Sequence, residues 1–402
     1  MIERDHQGPG AMRRRAFLQK GCRAAPGLCL LPLAACSRPD DAPGTSDSGL
    51  PGSLESELER QIPALLAQAG VPGLSMAIIR CATLAWRRGF GLRDTVSKEP
   101  VDAETVIEVG SVSKTVFAYA VMKLCEKGVL DLDTPLTRYT PERFLQGDPR
   151  LDLITARHVL SHRSGFQNWR SADDPLRIHF TPGTQYSYSG EGYAYLQSVV
   201  THLTGHVNPR VCSPYEAGLK VCATDFDAYM KENLLVPFGM GSSGYLWNEA
   251  IASHAARPHD DNGTPLTRHA TATDAARYGA AGGLLTTPTD YAKFLIELIA
   301  PQRSDASRLT QASVTEMLRP QVTFKNRTEG ADAWALGWGI QRKANGDFIR
   351  HGGSNPGFQA LVAAKVRNKS GFIIATNSDN GYEVIKRLVA SEAMQRFIQV
   401  TA

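Results

Sequence analysis

Strand-like segments crowd the two ends of the globular part of this chain and are sparse between them. Leu74 to Ile79 and Thr83 to Phe90 are short apolar runs rich in branched and aromatic residues, and they read as a hairpin. Phe348-Ile349-Arg350, Phe358 to Val366 and Gly371 to Thr376 form three more near the far end, with Asn368-Lys369-Ser370-Gly371 as a turn. Helical patterns fill the middle. Ser53 to Ala69 places Leu54, Leu58, Ile62, Leu65 and Leu66 on a helical period and stops at Gly70, and a last helix runs from about Tyr382 to Gln399. A sheet drawn from both ends predicts an α/β (α+β) fold of two lobes. An antiparallel sheet flanked by N- and C-terminal helices makes the mixed lobe (53–110 and 336–402). A mostly helical lobe (111–335) is inserted into it, and a cleft is expected along the seam.

The domain is expected over 53–402, because the first 52 residues have another character. Arg14-Arg15-Ala16-Phe17-Leu18 has the twin-arginine export pattern, and the apolar stretch Ala24 to Ala35 is broken by Pro26 and Pro32. It ends in Leu33-Ala34-Ala35-Cys36, similar to the lipobox at which an exported lipoprotein is cut and acylated. Residues 1–35 therefore read as an export signal peptide. Residues 36–52, rich in Pro, Asp, Ser and Gly, read as a flexible tether. The expectation is a periplasmic lipoprotein held to the membrane through Cys36; the alternative is a plain secretory signal with an incidental cysteine. Of 44 Lys and Arg and 40 Asp and Glu, residues 1–35 hold six and two, which leaves 38 of each. Such a balance argues against nucleic acid as a partner. Cys81 and Cys125 read as core thiols, whereas Cys212 and Cys222 flank a loop that a disulfide could close in an oxidising compartment.

Chemistry is concentrated in Ser111-Val112-Ser113-Lys114, which opens the apolar run Val116 to Val121. On a helix, Ser111 and Lys114 are neighbours about 4.5 Å apart along the axis. A helical wheel sets Lys114 inside the arc of Val116, Phe117, Ala118, Val121 and Cys125, while Lys123 and Lys127 fall on the wet side. An amine on a buried face must be paired or uncharged. To act as a base its pKa has to fall from about 10 to roughly 7, worth about 4 kcal/mol. Serine needs such a base at neutral pH. A snorkelling lysine beside a helix-capping serine is the bland alternative.

Two further elements follow. Tyr186-Ser187-Tyr188-Ser189-Gly190 lies in a turn-rich aromatic loop, where Tyr188 could present a phenol whose pKa nearby ammonium groups would depress; the commoner use of such a tyrosine is to pack its loop on the core. Arg350-His351-Gly352-Gly353-Ser354 follows a short strand, and its glycines let a substrate backbone come close to an N–H donor. His254, His259, Asp260 and Asp261 sit in a Pro/Asp/Gly-rich loop that reads as structural rather than metal-binding, and no cofactor or metal is expected. His158 and His162 read as structural, and Tyr193 and Trp338 as core.

Taken in order, Ser111-x-x-Lys114, Tyr188-Ser189-Gly190 and His351-Gly352-Gly353 resemble the three boxes of the serine β-lactamase and penicillin-recognising family. The likeness is to the class C side, with its esterase and D-Ala-D-Ala carboxypeptidase relatives. Family-like stretches at 159–165, 281–287 and 336–339 support it, and the resemblance covers roughly 53–400. It implies a β-lactamase-like fold and an acyl-enzyme on Ser111. Lys114 and Tyr188 would move the proton, the N–H groups of Ser111 and Ser354 would form the oxyanion hole, and His351 and Gly353 would line the substrate.

The chain departs from the lactamase pattern at two positions. Gly190 stands where class C lactamases usually carry Asn, and His351 where they carry Lys. Both changes weaken the hold on a β-lactam, because one removes an amide donor and the other a permanent cation. The expected substrate is therefore an ester or amide. The alternatives are a true β-lactamase or D-Ala-D-Ala carboxypeptidase, or a catalytically inactive binding lipoprotein on the same fold.

Overall fold

The computed structural model describes residues 53–400 except 142, 206–212, 215–219, 222, 268–271 and 302–303, with backbone only for 213–214, 220–221, 223, 272–276 and 400. The leader over 1–35, the tether over 36–52 with Cys36, and Cys212 and Cys222 lie outside the described residues.

Eight strands form one antiparallel sheet: β1 (Gly73–Arg80), β2 (Thr83–Gly91), β3 (Val322–Thr328), β4 (Ala331–Trp334), β5 (Gly339–Gln341), β6 (Phe348–Asn355), β7 (Phe358–Lys365) and β8 (Ser370–Thr376). Their order is β2-β1-β8-β7-β6-β5-β4-β3, so the first strand pairs with the last, Leu74 opposite Thr376 and Ala77 opposite Ile373. The two ends of the domain are thus joined by main-chain hydrogen bonds, as their strand patterns imply.

Alternation along the central strands feeds a core on each face. Leu74, Met76, Ile78, Leu361, Phe372 and Ile374 point to one side. There they meet Leu58, Ile62 and Leu66 of α1 (Leu54–Ala69). Val384, Ile385 and Leu388 of a helix over Gly381–Ala390 pack beside them. Ala77, Ile79, Val362, Ile373 and Ala375 point to the other side, into the larger core that contains the apolar face of α2 (Ser113–Glu126). Helix, sheet and helix make three layers, and each fully buried Leu or Ile in them contributes about 1.5–3 kcal/mol. Helix α1 starts where Ser53 Oγ accepts from Ser56 N at 3.2 Å and stops at Gly70, whose φ of 64° suits a residue without Cβ.

Several expectations need correction. The sheet extends back to Val322, into the range assigned to the helical insert. Strand β3 is an edge with most side chains in water, so it carries Lys, Asn and Arg in place of an apolar run. The last helix is two helices, broken at Ser391, whose backbone is extended at φ −62° and ψ 151°. Cys81 is exposed in the turn after β1, with φ 47°, and is not a core thiol. Cys125 is half-buried, and burial pushes its thiol up to about 12. Lys123 does not face water; its ammonium is buried between Glu126 at 2.7 Å and the Arg308 carbonyl at 2.7 Å.

The sheet meets the helical layer through backbone alone at one point. A Cβ on Gly353, in β6, would lie 1.9 Å from the Val109 carbonyl oxygen, and one on Gly110 would lie 2.6 Å from Ser354 N. This contact sets the turn at 110–112 against the end of β6. Gly353→Ala is expected to lower the free energy of unfolding in urea by about 1–3 kcal/mol, because backbone on both sides has to move. An unchanged midpoint would contradict the close approach.

Candidate active site

Ser111 sits in a single 3-10 turn, Gly110–Val112, immediately before α2. Gly110 takes φ 51°, which turns the chain sharply so that Ser111 is left half-buried at the helix mouth. Ser113 pins the turn: its Oγ donates to the Gly110 carbonyl at 2.6 Å and accepts from Leu284 N at 2.9 Å. A two-residue ladder, Ile107–Glu108 against Leu285–Thr286, anchors the approach. The stretch around Gly282 is thereby fixed beside the serine.

One turn in, Lys114 is fully buried. Its Nζ lies 3.2 Å from Ser111 Oγ and donates to the Ala281 carbonyl at 2.6 Å. The amine also sits 5.0 Å from the Tyr188 ring centre and 5.3 Å from that of Tyr193. No carboxylate is among these partners, so burial alone sets the balance and lowers the pKa from 10.5 to about 7. The two aromatic faces favour the cation, by about 2 kcal/mol or more where water is excluded, and so oppose the desolvation.

Tyr188 is hydrogen-bonded to Ser111 through its side chain. Its pKa is not depressed as the sequence suggested. Burial raises it above the usual phenol range and outweighs the Ser111 bond. The phenol therefore keeps its proton at neutral pH. The loop bearing it is held by Ser189, whose Oγ accepts from Gly192 N at 2.9 Å and caps the helix α3 (Gly190–Thr204).

His162 belongs to this assembly, which its reading as a structural residue missed. Its ring stacks on Tyr188 at 4.0 Å and 30°, and its Nδ1 accepts from Ser189 N at 3.1 Å. Fully buried, and then opposed by the charges of Lys114 and His351, it is held neutral well below the usual histidine range. His162 takes a φ of 55°, uncommon for a residue with a Cβ. Nothing in the spacing of Leu160-Ser161-His162-Arg163-Ser164-Gly165 indicated that contact.

His351 is brought to the same place, with ring centres 6.3 Å from Tyr188 and 5.4 Å from Trp334. Its Nδ1 donates to the Gly352 carbonyl at 2.7 Å. Burial first, then the Lys114 charge, push its pKa down to about 3, so it is a neutral imidazole at pH 7 and not a part-time cation. Beyond it, Gly353 is buried and Ser354 is exposed, with Ser354 N beside Gly110. Ser111, Lys114, Tyr188, His351, Gly353 and Ser354 thus converge. Tyr193 lies beneath the amine, while Trp338 is buried in the core. His259 is placed elsewhere: it is buried, with Nδ1 3.0 Å from the Asn377 carbonyl. No group of three or more metal-ligating side chains occurs among the described residues.

The geometry thus sets a serine at a helix mouth beside a buried amine of lowered pKa and a phenol. Residues 58–394 match the sequence model of the Beta-lactamase family, and the chain belongs to that family of serine hydrolases. It is 33% identical over 118 residues to Esterase EstB of Burkholderia gladioli, a match covering 29% of this chain and only 30% of that esterase. In fold it resembles D-alanine carboxypeptidase AmpC of Burkholderia cenocepacia, with a TM-score of 0.66, 19% identity, and 84% and 98% of the two chains covered. A class C β-lactamase is similar at a TM-score of 0.68 and 19% identity, covering 84% of this chain and 97% of the other.

The buried amine has a consequence for stability. The folded pKa of Lys114, about 7, lies below its unfolded value of 10.5, so between those pH values the unfolded state binds more protons. Stability therefore rises with pH across that window and is penalised below it. Lys114→Met is expected to be more stable than wild type at pH 7, by up to about 4 kcal/mol before the lost Ala281 bond is deducted. The gain should shrink as pH approaches 10 in urea titrations. A destabilised variant at pH 7, with no pH trend in the difference, would contradict a neutral buried amine.

Proposed function

We propose that this chain hydrolyses an ester or amide through an acyl-enzyme on Ser111. The observation that carries the reading is the Lys114 amine, buried, with its pKa lowered to about 7 so that free base is abundant at neutral pH, and 3.2 Å from Ser111 Oγ. Lys114 takes the serine proton as Oγ attacks the acyl carbonyl, and the N–H groups of Ser111 and Ser354 receive the developing oxyanion. One such donor is commonly worth about 3–4 kcal/mol in the transition state. Collapse of that intermediate expels the alcohol or amine, which leaves with the proton passed through Lys114 and Tyr188. Water, losing a proton by the same route, then releases the acid and frees Ser111.

Two features favour an ester or amide over a β-lactam. Neutral His351 offers no fixed positive charge for a lactam carboxylate. Gly190 offers no side-chain amide, and the Trp169 indole fills the space where one would stand. The similarity to an esterase over part of the chain points the same way. We further propose that the protein works in the cell envelope, exported by its Arg14-Arg15 leader and anchored by acylation of Cys36. Metabolic labelling with palmitate should mark wild type but not Cys36→Ser.

The purified protein is expected to turn over p-nitrophenyl acetate, with Ser111→Ala and Lys114→Ala each lowering kcat/KM by about 10³-fold or more. Acylation needs the free amine, so kcat/KM should rise with pH through an apparent pKa of about 7. Nitrocefin turnover at lactamase-like rates would overturn the substrate class. A fluorophosphonate probe that fails to label wild type would favour the inactive binding lipoprotein.

A further inference from the structure

We propose that Trp169 and Tyr278 form an aromatic shelf beside Ser111 that holds a flat apolar group of the substrate. We infer also that position 190 is glycine to admit the indole. This deepens the ester-hydrolase reading and rests on it for the identity of the scissile bond. Gly190 opens α3 two residues after Tyr188. A Cβ on it would lie 2.3 Å from both Cη2 and Cζ2 of Trp169, so the indole rests directly on the glycine Cα. Any larger residue at 190 displaces the ring.

The second ring comes from the other side of the site. Tyr278 meets Trp169 edge-on, with centres 5.0 Å apart at 88°. It lies on the helix Ala272–Gly282, one turn before Ala281, whose carbonyl holds the Lys114 amine. The two rings therefore hang from the segments that position the phenol and the amine.

Trp169 is 39% exposed, which sets it apart from the buried aromatics of the core. Yet the backbone on both sides of it is fixed. Asn168 accepts from Gly190 N through Oδ1 at 2.9 Å and from Glu191 N through its carbonyl at 2.9 Å. Arg170 N donates to Glu191 Oε1 at 2.9 Å, and the Arg170 guanidinium pairs with the same carboxylate, fully buried, at 2.7 Å. Arg277 stacks over Tyr278 at 5.0 Å and approaches Glu191 at 3.9 Å. A partly exposed aromatic pair, hung from the segments that carry Tyr188 and the Ala281 carbonyl and tied down on both flanks, is a preformed surface for a planar apolar group, because little side-chain freedom remains to be lost on binding.

The test compares three esters on the full chain: ethyl acetate as reference, ethyl phenylacetate with the ring on the acyl side, and phenyl acetate with it on the alcohol side. Trp169→Ala and Trp169→Leu should lower the kcat/KM ratio of one aromatic ester to ethyl acetate by about tenfold, mainly through KM, while Trp169→Phe keeps most of it. The ester whose ratio falls identifies the side of the bond that the shelf holds. Ratios unchanged in both arms would overturn the shelf. Equilibrium binding of the same aromatic esters to Ser111→Ala protein needs no turnover. If wild type hydrolyses none of the esters while that binding still depends on Trp169, the shelf stands and the hydrolase reading fails. If neither ratio nor binding depends on Trp169, the shelf fails by itself.

Discussion

The structure around the site depends on one unfavourable placement, a lysine amine with no carboxylate partner sealed under aromatic rings. In water that amine is charged; here burial lowers its pKa to about 7 and leaves it with the Ala281 carbonyl and the Ser111 hydroxyl as partners. The neighbours are consistent with this single fact. Tyr188 stays protonated because burial raises its pKa, and His162 and His351 stay neutral because burial, seconded by the Lys114 charge, lowers theirs. Three of the four titratable groups are thus uncharged at neutral pH, and the fourth is poised to lose its charge there.

Much of the scaffold exists to keep that arrangement closed. Glycines at 110 and 353 let a turn and a strand touch backbone to backbone. Gly337 likewise leaves room for α2, where an added Cβ would lie 2.6 Å from the Ala118 methyl. Ser113, Ser189 and Asn168 tie the three site segments with short hydrogen bonds to main chain. Precision at the site comes from these ties, and the two cores on either side of the sheet supply the stability that they draw on.

The parts of this that were legible in the sequence share a cause: they are local or periodic. The helical wheel put Lys114 on a buried face, and the strand patterns at both ends implied one sheet. The family-like boxes then located Tyr188 and His351. What escaped the sequence depends on contacts made at a distance. Trp169 against Gly190, and His162 against Tyr188, join segments that no spacing rule connects. Lys123 looked wet on the wheel because Glu126 and the Arg308 carbonyl, which bury it, come from beyond the apolar arc. The direction of the Tyr188 shift was misjudged for a related reason: burial of the phenol itself, which no spacing shows, sets its sign.

The direct measurement is the titration of Lys114 itself, by NMR of lysines labelled at Cε, with the resonance assigned by its loss in Lys114→Met. The account requires that resonance to titrate near pH 7, well apart from the surface lysines. A midpoint near 10, alongside the others, would mean an ordinary charged lysine and would remove the base on which the proposed chemistry rests.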